Sequence, residues 1–318
     1  MIAQMKRLSW MFVVSILMYG CTQGKKELSD LPDSPEGVQA VSLLGDTLYV
    51  PTFSEDVRTS MERQLAEAEA DYHEHPNDAE AIIWFGRRTA YLGHYREAVG
   101  IYTKGMTKHP KDARMVRHRG HRYITLRLFD RAIEDFKRAV ELIEGTEDEI
   151  EPDGMPNVRN IPTSTLHFNV WYHLGLAHYL KGDFEDALEA YRECMKVSRN
   201  PDALVATSHW LYMTCRRLGK DEEASLVLEP IHANMDIIEN GSYHRLLLLY
   251  RGEVEAETLL GSTEDALDNA TVGYGIGNWY YYNGRQEEAE QIFNEVLRGS
   301  QWAAFGYIAA EAEMSRMR

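Results

Sequence analysis

Cysteine is almost missing from this chain of 318 residues: Cys21, Cys194 and Cys215 are the whole supply. That excludes a disulfide framework and any paired-cysteine zinc motif. Positive charge is also short. There are 34 Lys and Arg against 50 Asp and Glu, a net charge of −16, which argues against general nucleic-acid binding. The conspicuous apolar run, Leu8 to Tyr19, is about twelve residues long, well under the roughly 20 that a helix needs to cross a bilayer. No His-Glu-x-x-His, nucleophile elbow or phosphate loop is present, so no enzyme class is signalled. The 12 histidines lack converging metal-ligand spacing. His118 and His121 share a helix face, His173 and His178 do so more loosely, and the expectation is no metal and no cofactor.

What is there begins with a leader. Lys6 and Arg7 precede the apolar run, and Gly20-Cys21 and a polar stretch follow it, the layout of a secretory signal over residues 1–20. Gly20-Cys21 resembles the lipobox of bacterial lipoproteins, although Met18 and Tyr19 depart from its usual residues. The resemblance implies cleavage before Cys21, acylation of its thiol and a stable membrane anchor. The absence of an aspartate directly after Cys21 implies, by the same resemblance, the outer membrane and a periplasm-facing protein. Loss of Lys6 and Arg7 deepens the negative charge by two. Residues 21–53 are rich in Gly, Ser, Asp and Pro and read as a flexible tether.

From residue 54 the chain repeats itself. His75-Pro76-Asn77-Asp78-Ala79 returns 34 positions later as His109-Pro110-Lys111-Asp112-Ala113. The same step carries Gly86 to Gly120, Tyr95 to Phe129, Ala98 to Ala132 and Tyr102 to Phe136. A period of this length marks stacked helix pairs that need small residues where they touch and aromatics beside them. The pattern resembles the tetratricopeptide repeat. Units fall near 79–112, 113–146, 168–199, 205–236 and 270–298, with a degenerate pair at 241–262. The third unit, with Trp171, Leu174, Gly175, Gly182, Phe184, Ala187 and Tyr191, is the closest to the family pattern. The resemblance implies an all-α, right-handed superhelical solenoid with capping helices at both ends, the last of them polar on its outer face. Gly273, Gly275 and Gly277 imitate a nucleotide loop but precede a repeat helix, where close packing accounts for them. Cys194 and Cys215 fall where helices bury small residues; in an oxidising envelope they could also pair.

Two irregularities bear on function. Residues 79–138 hold 14 Lys and Arg against 6 Asp and Glu, a basic region in an acidic protein. Family geometry sets Arg87 and Tyr91, then Arg114, Arg117 and His121, then Tyr172 and Tyr179 on the concave face. Guanidinium pairs suit carboxylates, so an acidic peptide or chain terminus is the expected protein partner. The carboxylate clamp of chaperone-binding relatives is not carried over, because Ile83 and Arg87 stand where that clamp uses other residues. The second irregularity is an acidic, proline-broken insertion at 145–165, which could neutralise the basic face or lie in the groove and mask it. The function expected is a non-catalytic, membrane-anchored adaptor of the bacterial envelope. A solute- or glycan-binding lipoprotein is the alternative, and an enzyme with its site in the insertion is a third reading.

Overall fold

The computed structural model describes residues 31–261 and 266–318. Residues 1–20 and Cys21 lie outside that range. A hairpin of β1 (Val38–Val41) and β2 (Thr47–Tyr49) is followed by α1 (Glu55–Glu74). Helix pairs then stack in chain order: α2 (Ala79–Tyr91) with α3 (Tyr95–Lys108), α4 (Ala113–Thr125) with α5 (Phe129–Ile143), and α6 (Leu166–Lys181) with α7 (Phe184–Val197). After them come α8 (Pro201–Arg217) with α9 (Asp221–Leu228), the short pair α10 (Gly241–Tyr250) and α11 (Ala256–Leu259), and α12 (Ala266–Tyr282) with α13 (Gln286–Leu297). The last element is α14 (Phe305–Met317). No described helix is long and apolar enough to cross a membrane.

Four of the pairs close on the same kind of contact. A Cβ built on Gly86 would meet the Tyr102 ring at 2.5 Å, on Gly120 Phe136 at 3.0 Å, on Gly175 Tyr191 at 2.7 Å and on Gly277 Phe293 at 2.6 Å. In all four the aromatic stands sixteen positions after the glycine. Ala98, Ala132, Ala187 and Ala289, twelve positions after those glycines, are fully buried at the helix crossings. Close approach buries apolar surface at high density, about 25 cal/mol for each Å² removed from water. Asp78, Asp112, Thr165 and Asn200 cap the first helices of their pairs by accepting backbone N–H bonds. The turn to the second helix uses a left-handed residue instead: Gly93, Gly182, Gly219 and Gly284. At the matching place in the second pair stands Arg127, with φ +62°. A side chain there costs about 1 kcal/mol that glycine does not.

Two expectations need correction. Residues 31–53 are not a loose tether. The antiparallel hairpin pairs Ala40 with Leu48 and Val41 with Thr47, and both Ala40 and Leu48 are buried with Leu31. Arg96 donates its backbone N–H to Gln39 Oε1 at 3.2 Å and its guanidinium to the Pro32 carbonyl. The hairpin thereby docks on the α2–α3 turn. Alternation over so few residues is too brief a signal to outweigh a Pro- and Gly-rich composition.

The second correction is α14, which is no polar-faced cap. Eight of its residues are buried, Glu311 and Glu313 among them. It packs on α12 and α13 and also reaches α6. Arg127 Nη2 lies 2.7 Å from Glu311 Oε1, and Arg217 Nη1 2.6 Å from Glu313 Oε1. Leu43 donates its N–H to Glu311, and the Trp302 indole donates to the Tyr49 carbonyl at 3.0 Å. The two ends of the described chain are therefore tied to each other.

Candidate binding cleft

The first helices of the first two pairs, α2 and α4, present Arg87, Tyr91, Arg117, His118, His121 and Arg122 toward the insertion. The insertion crosses in front of them and is pinned on both sides. On one side Arg87 Nη1 donates to the Pro152 carbonyl at 2.7 Å and Arg88 Nη1 to the Gly154 carbonyl at 2.9 Å. On the other, Asn157 Nδ2 and Thr163 Oγ1 each donate to Glu239 at 2.6 Å. Glu239 is itself fixed by Asp202, a buried carboxylate that accepts the backbone N–H groups of Ile238, Glu239 and Asn240 at 2.7–3.0 Å. Three such bonds make the 238–240 loop a rigid wall.

Glu151 is the centre of the arrangement. Its carboxylate lies 3.1 Å from Arg117 Nη2 and 3.1 Å from His118 Nε2, and accepts from Asn169 Nδ2 at 2.6 Å. Burial would push its pKa up, but Arg117 and His118 outweigh that and hold it well below the ordinary carboxylate range. Burial also pushes His118 down to about 4, with Arg117 adding to the shift. The neutral imidazole then accepts from Arg117 Nη1 on Nδ1, at 2.9 Å, and faces Glu151 with its Nε2–H. Arg87 stacks over Trp84 at 4.4 Å and donates to the Tyr91 hydroxyl. Arg122 lies 5.4 Å over the Tyr95 ring and forms no ion pair with a described carboxylate. Arg117 alone pairs with the buried carboxylate, while Arg87 and Arg122 line the same cavity.

Two adjoining cavities remain, of about 210 and 660 Å³, with His121 and Glu239 common to both. The smaller gathers Arg87, Arg117 and Arg122 together with Glu151, Asp153 and Glu239. The larger is bordered by Asn240, Ser242, Tyr243, Arg245 and Phe305. His121 stands between them, its ring 4.5 Å from His173 and 5.3 Å from Phe305. Burial holds it neutral, well below the ordinary histidine range, and Arg122 adds to the shift.

The structure brings Arg87, Tyr91, Arg117 and His121 to this cleft. It does not bring the other three expected residues. Arg114 lines neither cavity and is taken up by Asp112, at 2.6 Å, and by Glu80. Tyr172 and Tyr179 are core residues and no part of an open groove. The Tyr172 hydroxyl accepts from the Trp210 indole at 2.8 Å, and the fully buried Tyr179 hydroxyl accepts from Tyr274 at 2.8 Å and Asn278 at 2.9 Å. The reason is that later elements pack over the face that a simple repeat would leave free: α8 and α10 cover Tyr172, and α8 and α12 cover Tyr179. His118, Arg122, Glu151, Glu239, Tyr243 and Phe305 were missed. The insertion's acidity was legible, but nothing in its pattern selected Glu151 from five neighbouring acids. Cys194 and Cys215 are both free and buried.

Stacked helix pairs closed by small residues under aromatic rings, around a lined inner cleft, define an all-α solenoid of helical repeats. Residues 168–201, which are α6 and α7 with their turn, match the tetratricopeptide repeat, a repeat whose concave surfaces commonly hold other proteins. Among solved structures, a tetratricopeptide repeat protein from Parabacteroides merdae ATCC 43184 is similar at 15% identity and TM-score 0.50, covering 83% of this chain and 94% of its own. The crystal structure of YrrB, titled a TPR protein with an unusual peptide-binding site, aligns at 15% identity and TM-score 0.42, covering 78% of this chain and 97% of its own. No curated protein matches the sequence.

Proposed function

We propose that this protein is a non-catalytic adaptor, held at the bacterial outer membrane by lipid on Cys21, that captures an acidic segment of a protein partner in the α2–α4 cleft. One observation carries the reading: the chain already sets a carboxylate of its own, Glu151, against Arg117 beneath Arg87 and Arg122. A partner's acidic side chain or terminal carboxylate would meet the same chemistry at Arg122, which lines the smaller cavity without an ion pair to a described carboxylate. A panel of fluorescent acidic and neutral peptides tests it by anisotropy. Acidic peptides bind more tightly, and Arg87→Gln with Arg122→Gln weakens them at least about tenfold, roughly 1.4 kcal/mol. Equal binding of neutral peptides, or no loss in the double variant, rejects the cleft. Cys21→Ala moving the protein from membrane to soluble fractions tests the anchor.

The larger cavity, with Tyr243 and Phe305 beside Asn240 and Ser242, favours a solute or glycan as the second reading. Saturable binding of a cell-wall oligosaccharide that Tyr243→Ala abolishes would move the assignment there.

A further inference from the structure

We infer that His178, Asp183 and Asp186 form a binding site for a divalent transition-metal ion, with zinc the best fit. These residues lie at the turn between α6 and α7, well apart in sequence from the cleft. The His178 side chain is 5% exposed, and its Nδ1 is buried without a hydrogen-bond partner. That nitrogen points at Asp183 Oδ2, 3.7 Å away, and at Asp186 Oδ2, 3.6 Å away. Both distances are too long for hydrogen bonds. All three donor atoms lie within 4.8 Å of one another. Two ligands at zinc distances of about 2.1 Å in a tetrahedron stand ~3.4 Å apart, so the two histidine–carboxylate distances need to close by only a few tenths of an ångström.

The local fold supports this. Asp183 is the N-cap residue of α7, yet its side chain makes no cap bond, and its Oδ2 lies between Lys181 Nζ and His178 Nδ1. A buried imidazole nitrogen left unbonded is costly, and a metal ion would satisfy it. The opposing charge is Lys181, whose Nζ is 3.0 Å from Asp183 Oδ2. It is also 3.1 Å from Asp130 Oδ1, so it keeps a partner when the metal takes Asp183. Lys137 lines the same depression between α5 and α7. The fourth metal position opens to solvent and takes water.

Zinc chloride titrated calorimetrically into the chelator-stripped protein tests the site, with cobalt absorption reporting tetrahedral geometry. One equivalent binds. His178→Ala and Asp186→Asn each weaken it by at least about tenfold, and Lys181→Met tightens it by removing the competing cation. Asp186 is largely exposed, so its variant keeps the test open if His178→Ala does not fold. Absence of saturable binding, affinity unchanged in Asp186→Asn, or weaker binding in Lys181→Met each overturns the site.

Discussion

Replacing Glu311 by alanine should loosen both ends of the molecule at once. Glu311 receives Arg127 through two bonds, Nε to Oε2 at 3.0 Å and Nη2 to Oε1 at 2.7 Å, and the two side chains are 1% and 3% exposed. Removing the carboxylate leaves a buried guanidinium with only the Thr125 and Trp302 carbonyls and the Trp302 ring. Breaking a buried pair on one side costs about 3–5 kcal/mol. The Leu43 N–H loses its acceptor as well, about another 1 kcal/mol. Arg127→Met combined with Glu311→Leu should recover most of the loss, because an apolar pair of similar size avoids desolvating two charges. Arg127→Gly relieves the left-handed backbone but leaves Glu311 unpaired, so it stays destabilised. Urea unfolding followed by circular dichroism and by tryptophan fluorescence measures all four proteins. A loss below about 1 kcal/mol in Glu311→Ala, or a double variant no better than the single one, refutes the reasoning.

Gly175→Ala should cost about 1–3 kcal/mol, since its Cβ would enter the fully buried Tyr191 ring at 2.7 Å; thermal melting measures this, and an unchanged midpoint rejects the packing account. Acid should unfold the protein early. Burial holds His118 near 4, and His173 and His209 near 3, against 6.5 when exposed. The unfolded chain therefore binds more protons below about 6.5, and stability falls as pH drops from there toward 4, by up to ~3 kcal/mol for His118 alone. Glu151 acts in the same direction at lower pH, its folded-state pKa being depressed. Stability that is flat between pH 6.5 and 4 would contradict the sign. Cys194 and Cys215, both pushed up to about 12 by burial, should resist iodoacetamide in the native protein and react fully in urea. Rapid labelling of the folded chain would show that these thiols are accessible.

The repeats were legible because their cause is local. Gly86 and Tyr102, or Gly175 and Tyr191, sit one helix-turn-helix apart, so periodicity alone reveals their contact. The cleft's arginines were legible in part, since Arg87 and Arg117 hold set positions on α2 and α4 whatever surrounds them. The fate of Tyr172 and Tyr179 was not, because it depends on Trp210 and Tyr243 for the first and on Tyr274 and Asn278 for the second, all on later elements. Glu151 meeting Arg117, and Leu43 meeting Glu311, are long-range pairings that no spacing rule encodes. Arg127 gave a faint signal. It occupies the place that glycine takes in four other turns, and such a departure is accepted where the side chain is needed elsewhere, here by Glu311.

Solenoids commonly behave as springs. Each unit leans only on its neighbours, and the array can grow, fray or stretch from either end. The clasp of Leu43 and Arg127 on Glu311, and of Tyr49 on Trp302, removes that freedom. Residues near α14 must leave the ribosome before the first hairpin can settle, so the fold closes late in synthesis. Pulling on the hairpin would load α14 together with the turn that holds Arg127, instead of peeling one turn at a time.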